Sequence, residues 1–503
     1  MQGQMTKIIG PPGAGKTWTL MEVLQRELCD NKIPPDRIAF LTFTRAARIE
    51  ALTRTGKRDT DFPFLKTIHS ICYHQLNIGK DQIVTPNKVW NFGNRIGIKL
   101  TGAELDPWIE EFERSVDSPT KDDFLLQANH RGRHRKIMLK EAMKSLPQEI
   151  DYKYAVWFTN AYRDWKAIMG YLDYTDLLTK YVEYGNPLDI DVLFVDEAQD
   201  LSPLQWDVVN ILGAKAKRKY ACGDDDQAIF NWAGADSHVF QELEADNIKV
   251  LDQSYRVSKA VHTLAMSIVN RIKRRLDKKY LPTESDGIVT DAGFLTDMQY
   301  TKKTFILFRN HYRGATIAQA FRDQLVPFIG KGSPLNSVDI RASLFAFYSL
   351  MTKNEAPSDQ IKRLLSFVPK DTKNGNDYLM PEVPKLLKEK PVLSAEQVFI
   401  RKPVIGDWFR MFGFTSAMAN VNDYIRKNGL LETAIPKVEI MSIHQSKGRE
   451  AHTVIIDPEM SRAVWQSMMN NPDDEHRVQY VAITRAKERV MLMMPDGNFQ
   501  YRF

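Results

Sequence analysis

Eight residues near the start of the chain, Gly10–Thr17, have the sequence GPPGAGKT. They follow an apolar strand pattern, Thr6–Ile9, and precede a helical pattern, Trp18–Leu28. In a loop of this kind the glycines let backbone N–H groups surround phosphates, the lysine reaches the β and γ oxygens, and the hydroxyl binds Mg²⁺. We therefore predict a nucleotide site formed by Gly10, Pro11, Pro12, Gly13, Ala14, Gly15, Lys16 and Thr17.

A pair of acidic residues, Asp196 and Glu197, follows the apolar run Asp191–Val195. A carboxylate at the end of a buried strand can hold Mg²⁺, and an adjacent carboxylate can orient and deprotonate a water molecule. We assign the first role to Asp196 and the second to Glu197. Such a pair alone is usually a solvated turn, but beside a phosphate loop it predicts hydrolysis of the nucleotide rather than transfer to a substrate hydroxyl.

The strand patterns that carry these groups alternate with helical patterns. Further apolar runs are found at Arg37–Thr44, Lys219–Cys222, Thr304–Phe308 and His452–Ile456. Short apolar strands separated by helices are typical of α/β folds with parallel sheets. Two long stretches, near 75–170 and 338–436, interrupt this alternation and are predicted to be mainly helical insertions.

The composition is that of a folded protein with several domains. The chain has 503 residues, of which 43% are hydrophobic, and 69 Lys+Arg against 63 Asp+Glu give a net charge of +6, which is too small to indicate a nucleic-acid partner by itself. The widely spaced Cys29, Cys72 and Cys222 exclude a disulfide scaffold and a zinc ribbon. Without an apolar signal segment or a membrane-length apolar stretch, we expect a cytoplasmic location and no membrane partner.

A series of motifs, in order along residues 10–489, resembles the UvrD/Rep/PcrA family of superfamily-one DNA helicases. Besides GPPGAGKT these are TFTRAA at Thr42–Ala47, TIHS at Thr67–Ser70, LDYTDLL at Leu172–Leu178, DEAQD at Asp196–Asp200, GDDDQAIFNWAGA at Gly223–Ala235, QSYR at Gln253–Arg256, FRN at Phe308–Asn310, SIHQSKGRE at Ser442–Glu450 and YVAITRAKER at Tyr480–Arg489. Each short motif is weak alone, whereas their shared order is specific.

The resemblance implies two RecA-like motor domains that hydrolyse ATP in the cleft between them, with ATP and Mg²⁺ as cofactors. It assigns catalysis to Lys16, Glu197, the γ-phosphate-sensing Gln227 and two arginine fingers, Arg256 and Arg485. It also implies that Thr17 and Asp196 bind the metal, that Tyr255 stacks on the adenine, and that Gly448 and Glu450 contact the nucleotide, the latter at the ribose.

Sequence-independent binding of a single strand needs aromatic faces for bases and donors for phosphates. The resemblance implies that Trp232 stacks on a base and that further contacts come from Phe43, Thr44, His69, Arg309, Asn310 and His444. Taken singly, a tryptophan or histidine is more often a core residue. The basic runs Lys215–Lys219, Arg271–Lys279 and His130–Lys136 either touch phosphates or form a solvated surface, and the last run is the best candidate for phosphate contact.

The order of the motifs predicts the domain boundaries. The first RecA-like domain is placed at residues 1–74 and 171–248, with a helical insertion at 75–170. The second is placed at residues 249–337 and 437–503, with a reduced insertion at 338–436. Ala233 stands where members of the family usually carry arginine, so one contact near the junction of ATP and DNA is missing or replaced.

The sequence thus predicts an ATP-dependent translocase and helicase on single-stranded DNA, moving 3′ to 5′, a direction that the resemblance alone implies. The expected partners are single-stranded DNA and its junctions with duplex, and an accessory replication or repair protein is a further candidate. A monomer or weak oligomer is expected. Two alternatives stay open: an ATP-switched nucleic-acid-binding or remodelling protein that does not unwind duplex, and an RNA helicase.

Overall fold

The fold is known from a computed structural model that describes residues 3–41, 52, 53, 56, 58–101, 120–144, 146, 148–368, 378–412, 416–495 and 497–503. The chain divides into two compact units. The first unit contains Met1–Asp286, Arg462–Thr484 and Phe503, and the second contains Gly287–Ser461 and Arg485–Arg502. Among the described helices, none combines the length and the apolar character that crossing a membrane requires.

A six-stranded sheet forms the centre of the first unit. Its strands are β1 (Gln4–Ile9), β2 (Ile38–Leu41), β3 (Leu65–Lys66), β4 (Val192–Val195), β5 (Arg218–Gly223) and β6 (Asn247–Val250). They lie in the order β3-β2-β4-β5-β1-β6, and all neighbouring pairs are parallel. Because β1, β5 and β4 are adjacent, the segments that follow their carboxyl ends lie along one edge of the sheet, where α/β proteins bind ligands.

Helices cover this sheet because its central strands are apolar on both faces. The α-helices of the first unit are Lys16–Cys29, Ile68–Gln75, Pro86–Ile96, Lys121–Arg135, Leu139–Met143, Tyr152–Met169, Tyr174–Tyr184, Pro203–Leu212, Ser237–Gln241, Lys259–Val269, Arg462–Asn470 and Pro472–Ile483. Four of them, between residues 86 and 169, share a separate core around Phe92, Phe158 and Tyr162. This core makes the inserted stretch a helical subdomain.

The second unit has its own six-stranded parallel sheet. The strands are β7 (Ile288–Asp291), β8 (Thr304–Phe308), β9 (Phe328–Ile329), β12 (Val438–Ser442), β13 (Ala451–Ile456) and β14 (Ala486–Leu492), in the order β7-β14-β13-β8-β12-β9. A short antiparallel pair, β10 (Glu355–Pro357) and β11 (Val392–Ser394), lies in the insertion. The neighbouring carboxyl ends of β13, β8 and β12 again form one edge.

The insertion of the second unit is mainly helical and has an apolar core of its own. The α-helices of this unit are His311–Asp323, Val338–Thr352, Ser358–Ser366, Val383–Glu389, Ala395–Val398, Ile405–Phe412, Ser416–Asn428 and Leu430–Ala434. Phe347 packs edge-to-face on Trp408, with ring centroids 5.4 Å apart. The predicted fold class, two parallel sheets flanked by helices, is confirmed.

The observed boundaries of the strands and units differ in part from those that the order of the motifs predicts. The predicted strand Thr304–Phe308 has the observed bounds, and the run Arg37–Thr44 contains β2, with its last three residues outside the described chain. The predicted boundary after residue 248 falls within β6, which pairs with β1 in the first sheet. The first sheet therefore extends two residues beyond the predicted boundary, and the first unit continues to Asp286.

Candidate functional site

The phosphate loop Gly10–Thr17 connects β1 to the helix that begins at Lys16. Gly13 and Gly15 have φ of 76° and 78°, in the left-handed region that glycine occupies without strain. A Cβ on Gly13 would lie 2.5 Å from the Cβ of Arg256. Only glycine fits this position, and left-handed turns of this kind direct successive N–H groups towards an anion. The loop therefore suits a chain of phosphates.

The QSYR motif holds the phosphate loop in place. The hydroxyl of Ser254 donates to the carbonyl of Pro12 at 3.0 Å, and the N–H of Tyr255 donates to the carbonyl of Gly13 at 2.8 Å. The Tyr280 hydroxyl donates to the Pro12 carbonyl at 3.2 Å. These contacts join segments more than two hundred residues apart in sequence, so the sequence could place them only through the resemblance.

Two residues that are predicted to bind the nucleotide lie beside this loop. The ring of Tyr255 is 78% exposed, which leaves its face accessible to a base. Arg256 is half-buried against Gly13, and its Nη1 donates to the carbonyl of Thr484 at 3.5 Å. The structure thus brings an aromatic face and a guanidinium next to the phosphate loop.

Lys16 and the acid pair lie at the carboxyl ends of β1 and β4. The Nζ of Lys16 donates to the carbonyl of Gly10 at 2.8 Å, and Asp196 is almost completely buried, with Oδ1 accepting from the N–H of Glu197 at 2.9 Å. Glu197 has φ 49° and ψ 42°. A left-handed non-glycine residue costs about 1–3 kcal/mol and is typical of functional positions. The backbone here is strained to present the second carboxylate.

A chain of hydrogen bonds joins Glu197 to Gln227. Gln199 donates from Nε2 to Glu197 Oε2 at 2.6 Å and accepts through Oε1 from the N–H of Asp224 at 2.9 Å. Asp224 Oδ2 then accepts from Gln227 Nε2 at 2.7 Å. Gln199 and Asp224 are fully buried, so water does not compete for these bonds. The two predicted catalytic side chains are therefore oriented by one shared network.

Three consecutive buried carboxylates, Asp224–Asp226, lie behind Gln227. The Nζ of Lys278 lies 2.7, 2.5 and 2.8 Å from an oxygen of each, in sequence order, and Arg275 pairs with the third at 2.7 Å. Burial alone would lower the pKa of Lys278, but the three carboxylates raise it above its usual range. Sequence reasoning missed this cluster, although three adjacent acids after a buried strand require nearby cations, and the run Arg271–Lys279 contains them.

Trp232 lies in the short turn Asn231–Ala233 and is half-buried. The Nδ2 of Asn231 donates to Asp474 at 2.6 Å. Gly234, at φ 111°, packs so closely that a Cβ there would lie 2.6 Å from the Cβ of His134. The helix Lys121–Arg135 of the insertion thus supports the turn that carries the tryptophan.

The other residues of the first unit that are predicted to bind single-stranded DNA have fewer described contacts. His69 lies near the start of the helix Ile68–Gln75, with its ring edge-to-face on Tyr174 at 5.8 Å between centroids. Burial lowers its pKa to about 4, so the ring is neutral near pH 7. Phe43 and Thr44 lie outside the described residues.

The basic run His130–Lys136 is engaged inside the first unit. Its ion pairs join Arg133 to Asp173 at 2.9 Å and to Asp176, Arg135 to Asp236 at 3.0 Å, and Lys136 to Asp207 at 2.7 Å. Its imidazoles bond to hydroxyls, His130 to Thr175 at 2.9 Å and His134 to Ser202 at 3.0 Å. These ion pairs and hydrogen bonds attach the insertion to the rest of the first unit, and contact of this run with phosphates stays a prediction. Sequence alone could not distinguish an internal basic run from a solvated one.

Neutral buried histidines predict a loss of stability in mild acid. Burial lowers the pKa values of His130 and His69 to about 4 each, with Asp173 raising the former and Arg133 and Lys166 lowering it. An unfolded imidazole binds a proton near pH 6.5. Between pH 6.5 and 4 the unfolded chain therefore binds more protons, and the free energy of unfolding falls by up to about 3 kcal/mol per histidine.

Urea unfolding midpoints at pH 7.5, 6 and 5 measure this loss. The midpoint is expected to fall as the pH falls, and His130→Gln should flatten the dependence. His74→Gln, at an exposed histidine, is the matched control and should leave the dependence as in the unsubstituted protein. A midpoint that does not change between pH 7.5 and 5 would contradict the assignment.

The strand-binding candidates of the second unit share one edge of its sheet. Arg309 and Asn310 follow β8, and His444 follows the adjacent β12. The Nδ2 of Asn310 donates to the carbonyl of Glu459, beyond β13, at 3.2 Å. The segments that follow three neighbouring strands thus lie along the same edge, with Arg309, Asn310 and His444 among their residues.

The residues of the second unit that are predicted to bind the nucleotide lie around β13 and β14. Gly448 is exposed with φ 75°, and Glu450 forms an ion pair with Lys487 at 2.5 Å. Arg485 is 1% exposed, and its Nη1 donates to the carbonyl of Arg449 at 3.4 Å. Its guanidinium is therefore fixed by buried polar contact within this unit.

Comparison with known proteins adds two family matches. The model of the UvrD/REP helicase N-terminal domain matches residues 1–247, and that of the UvrD-like helicase C-terminal domain matches residues 412–496. The first match contains the phosphate loop, the acid pair and Gln227. The second contains His444, Glu450 and Arg485. Residues 248–411 lie between the two matched regions.

Individual relatives point to the same group. A protein named "Probable DNA helicase II homolog" from Mycoplasma capricolum is 22% identical over 98% of this chain and 83% of its own length. The ATP-dependent DNA helicase srs2 of Schizosaccharomyces pombe is 25% identical over 54% of this chain, and the ATP-dependent DNA helicase PcrA of Staphylococcus aureus is 24% identical over 56%. These two matches span 34% and 40% of the relatives.

Proposed function

Because this chain belongs to the UvrD-like helicase family, we propose that it is an ATP- and Mg²⁺-dependent motor that moves 3′ to 5′ along single-stranded DNA and separates duplex. One observation carries the proposal. The phosphate loop, the acid pair and Gln227 follow the adjacent strands β1, β4 and β5, and buried hydrogen bonds connect Glu197 to Gln227. This is the arrangement that a nucleotide hydrolase requires.

The side chains of the first unit fit ATP and its metal. Lys16 would bind the β and γ phosphates, while Thr17 and Asp196 would hold Mg²⁺, which neutralises phosphate charge when bound. Glu197 would orient and deprotonate the attacking water. The exposed ring of Tyr255 would stack on the adenine.

Cationic groups are needed where charge develops on the γ-phosphate. Arg256, which lies against Gly13 of the phosphate loop, is well placed to supply one. Gln227 would sense the same phosphate. Arg485, Gly448 and Glu450 of the second unit are proposed to complete the contacts with the nucleotide, as the family resemblance implies.

A single strand is the proposed track. Trp232 would stack on a base, with His69 in the same unit and with Arg309, Asn310 and His444 of the second unit contacting bases or phosphates. The shared sheet edge of the last three supports this proposal. We also infer that the protein acts in the cytoplasm, as a monomer or weak oligomer, together with replication or repair proteins.

Strand separation tests the function directly. Two partial duplexes, one with a 3′ single-stranded tail and one with a 5′ tail, are incubated with ATP and Mg²⁺, and Lys16→Ala protein serves as the blank. Unwinding of the 3′-tailed duplex alone is the expected result. Unwinding of the 5′-tailed duplex alone would refute the direction.

Two other results would favour the alternatives. If single-stranded DNA stimulates hydrolysis but neither duplex is unwound, the protein is an ATP-switched remodeller. An RNA strand that competes better than DNA of the same sequence would identify an RNA helicase, because only contact with the 2′-hydroxyl distinguishes the two.

Removing the ring of Trp232 is expected to uncouple hydrolysis from movement. Base stacking is worth about 1–3 kcal/mol, so Trp232→Ala should lower unwinding at least about fivefold while DNA-stimulated ATP hydrolysis falls less than about threefold. Both rates are measured on the same preparation. Trp157→Ala removes an indole that is 45% exposed on the insertion and should change neither rate. Normal unwinding by Trp232→Ala would exclude the stacking role.

A further inference from the structure

Lys278 lies outside every motif that predicts chemistry, yet its side chain is 1% exposed and contacts three carboxylates. A buried ammonium with this number of acidic partners needs an explanation, because removing an ion from water is costly. Arg275 already pairs with Asp226 through two nitrogens, at distances of 2.7 to 3.1 Å. Among the described ion pairs, Lys278 is the cation that contacts the other two carboxylates.

The first of these carboxylates leads directly to the predicted catalytic groups. One oxygen of Asp224 lies 2.7 Å from Lys278, and the other accepts from Gln227 at 2.7 Å. The N–H of the same aspartate donates to Gln199, which bonds to Glu197. Any shift of Asp224 thus moves the partners of both Gln227 and Glu197.

The second carboxylate, that of Asp225, forms hydrogen bonds with a different set of residues. Asp225 accepts from Gln241 at 2.9 Å and from the N–H of Leu276 at 2.7 Å, and its carbonyl accepts from Arg477 at 3.1 Å. None of these partners is bonded to Gln227 among the contacts described. Asp224 is therefore bonded to the predicted catalytic side chains, whereas Asp225 is bonded to residues that pack around the cluster.

We propose that Lys278 is a positioning residue for ATP hydrolysis, which fixes Asp224 and thereby presents Gln227 and Glu197 to the nucleotide. The inference rests on the proposed function, and it adds a residue from the basic run Arg271–Lys279 to the apparatus. Lys278 does not touch the substrate in this scheme. Its effect is expected in the rate of the chemical step rather than in nucleotide binding.

The test must separate positioning from folding. Lys278→Met alone leaves three buried carboxylates with one cation, which threatens the fold. Lys278→Met with Asp225→Asn leaves two carboxylates and one cation, so the cluster keeps the net charge of −1 that three carboxylates and two cations have in the unsubstituted protein. Asp225→Asn alone is the matched control. Thermal unfolding verifies that each variant is folded.

The measurements are kcat and KM for ATP hydrolysis with single-stranded DNA, and the Kd of a fluorescent ATP analogue. In the double variant kcat is expected to fall about 30- to 100-fold, as for a misplaced reacting group, while Kd changes less than about threefold. Asp225→Asn should retain kcat within about twofold. Adding Gln227→Ala to the double variant should lower kcat by clearly less than the product of the two separate losses, because part of the effect of Lys278 passes through Gln227.

Three kinetic results would overturn the proposal: an unchanged kcat in the double variant, an equal loss in Asp225→Asn, or a loss that multiplies with that of Gln227→Ala. A crystal structure of the double variant gives a readout that does not depend on activity. The distance from Gln227 Nε2 to Asp224 Oδ2 is expected to exceed 3.5 Å, and an unchanged contact refutes the positioning role. If the unsubstituted protein fails to hydrolyse ATP, the proposed function fails, whereas this distance still decides the role of Lys278.

Discussion

Replacing Lys16 with alanine is expected to lower DNA-stimulated ATP hydrolysis by about 100- to 1000-fold, the loss typical of removing one donor to developing charge. The Nζ of Lys16 donates to the carbonyls of Gly10 and Pro11 at 2.8 and 3.4 Å. It therefore lies over the phosphate loop that it is proposed to serve. The ammonium would bind the β and γ oxygens and stabilise the charge that moves between them during cleavage. Release of inorganic phosphate measures the effect.

Two controls distinguish a chemical loss from a structural one. Lys80→Ala removes an exposed lysine of the same unit and should hydrolyse ATP at the normal rate. Thermal unfolding of Lys16→Ala should show an intact fold, since the hydrogen bonds lost with the ammonium are those to the carbonyls of Gly10 and Pro11. Hydrolysis within about fivefold of normal in a folded Lys16→Ala protein would exclude the phosphate-loop assignment.

Glu197→Gln is expected to separate binding from hydrolysis. General-base catalysis contributes about 100- to 10 000-fold, so kcat should fall by that range. The amide oxygen of a glutamine can still accept from Gln199, which preserves the hydrogen-bond chain towards Asp224. The Kd of a fluorescent ATP analogue should therefore stay within about threefold, and the variant should accumulate as an ATP-bound form.

Glu183→Gln makes the same chemical change at an exposed position of the helix Tyr174–Tyr184. It should retain kcat and Kd. If Glu197→Gln hydrolyses ATP as fast as this control, another group activates the water. If both kcat and ATP binding are lost in a folded Glu197→Gln protein, the carboxylate holds the nucleotide rather than acting as a base.

Local sequence was sufficient to predict those parts of the site that are formed by one short segment of the chain. The strand β1, the left-handed Gly13 and Gly15 and the helix start at Lys16 are consecutive, and their chemistry follows from adjacent residues. The acid pair after β4 follows from the same logic. The α/β class could likewise be predicted, because buried parallel strands are short apolar runs.

Contacts between distant segments could not be predicted in this way. Lys278 lies more than fifty residues after its three carboxylates, and nothing local distinguishes it from the solvated lysine Lys279. The run His130–Lys136 had the composition of a phosphate-binding surface. In the structure, Arg133 and Arg135 of this run form ion pairs within the first unit, because Asp173 and Asp236 lie opposite them in the folded chain. Pairing of charges depends on the fold, whereas charge itself is visible in sequence.

The path of the chain between the units has a genetic consequence. The first unit ends at Asp286 and resumes only at Arg462–Thr484, where Arg477 donates to the carbonyls of Asp225 and Arg274 at 3.1 and 2.7 Å. Neither unit is therefore encoded by one uninterrupted stretch of the gene. A crossover or a stop codon anywhere between codons 287 and 461 would separate the first unit from its last two helices. Exchange between related genes is thus expected to preserve the two units together, as a single inherited block.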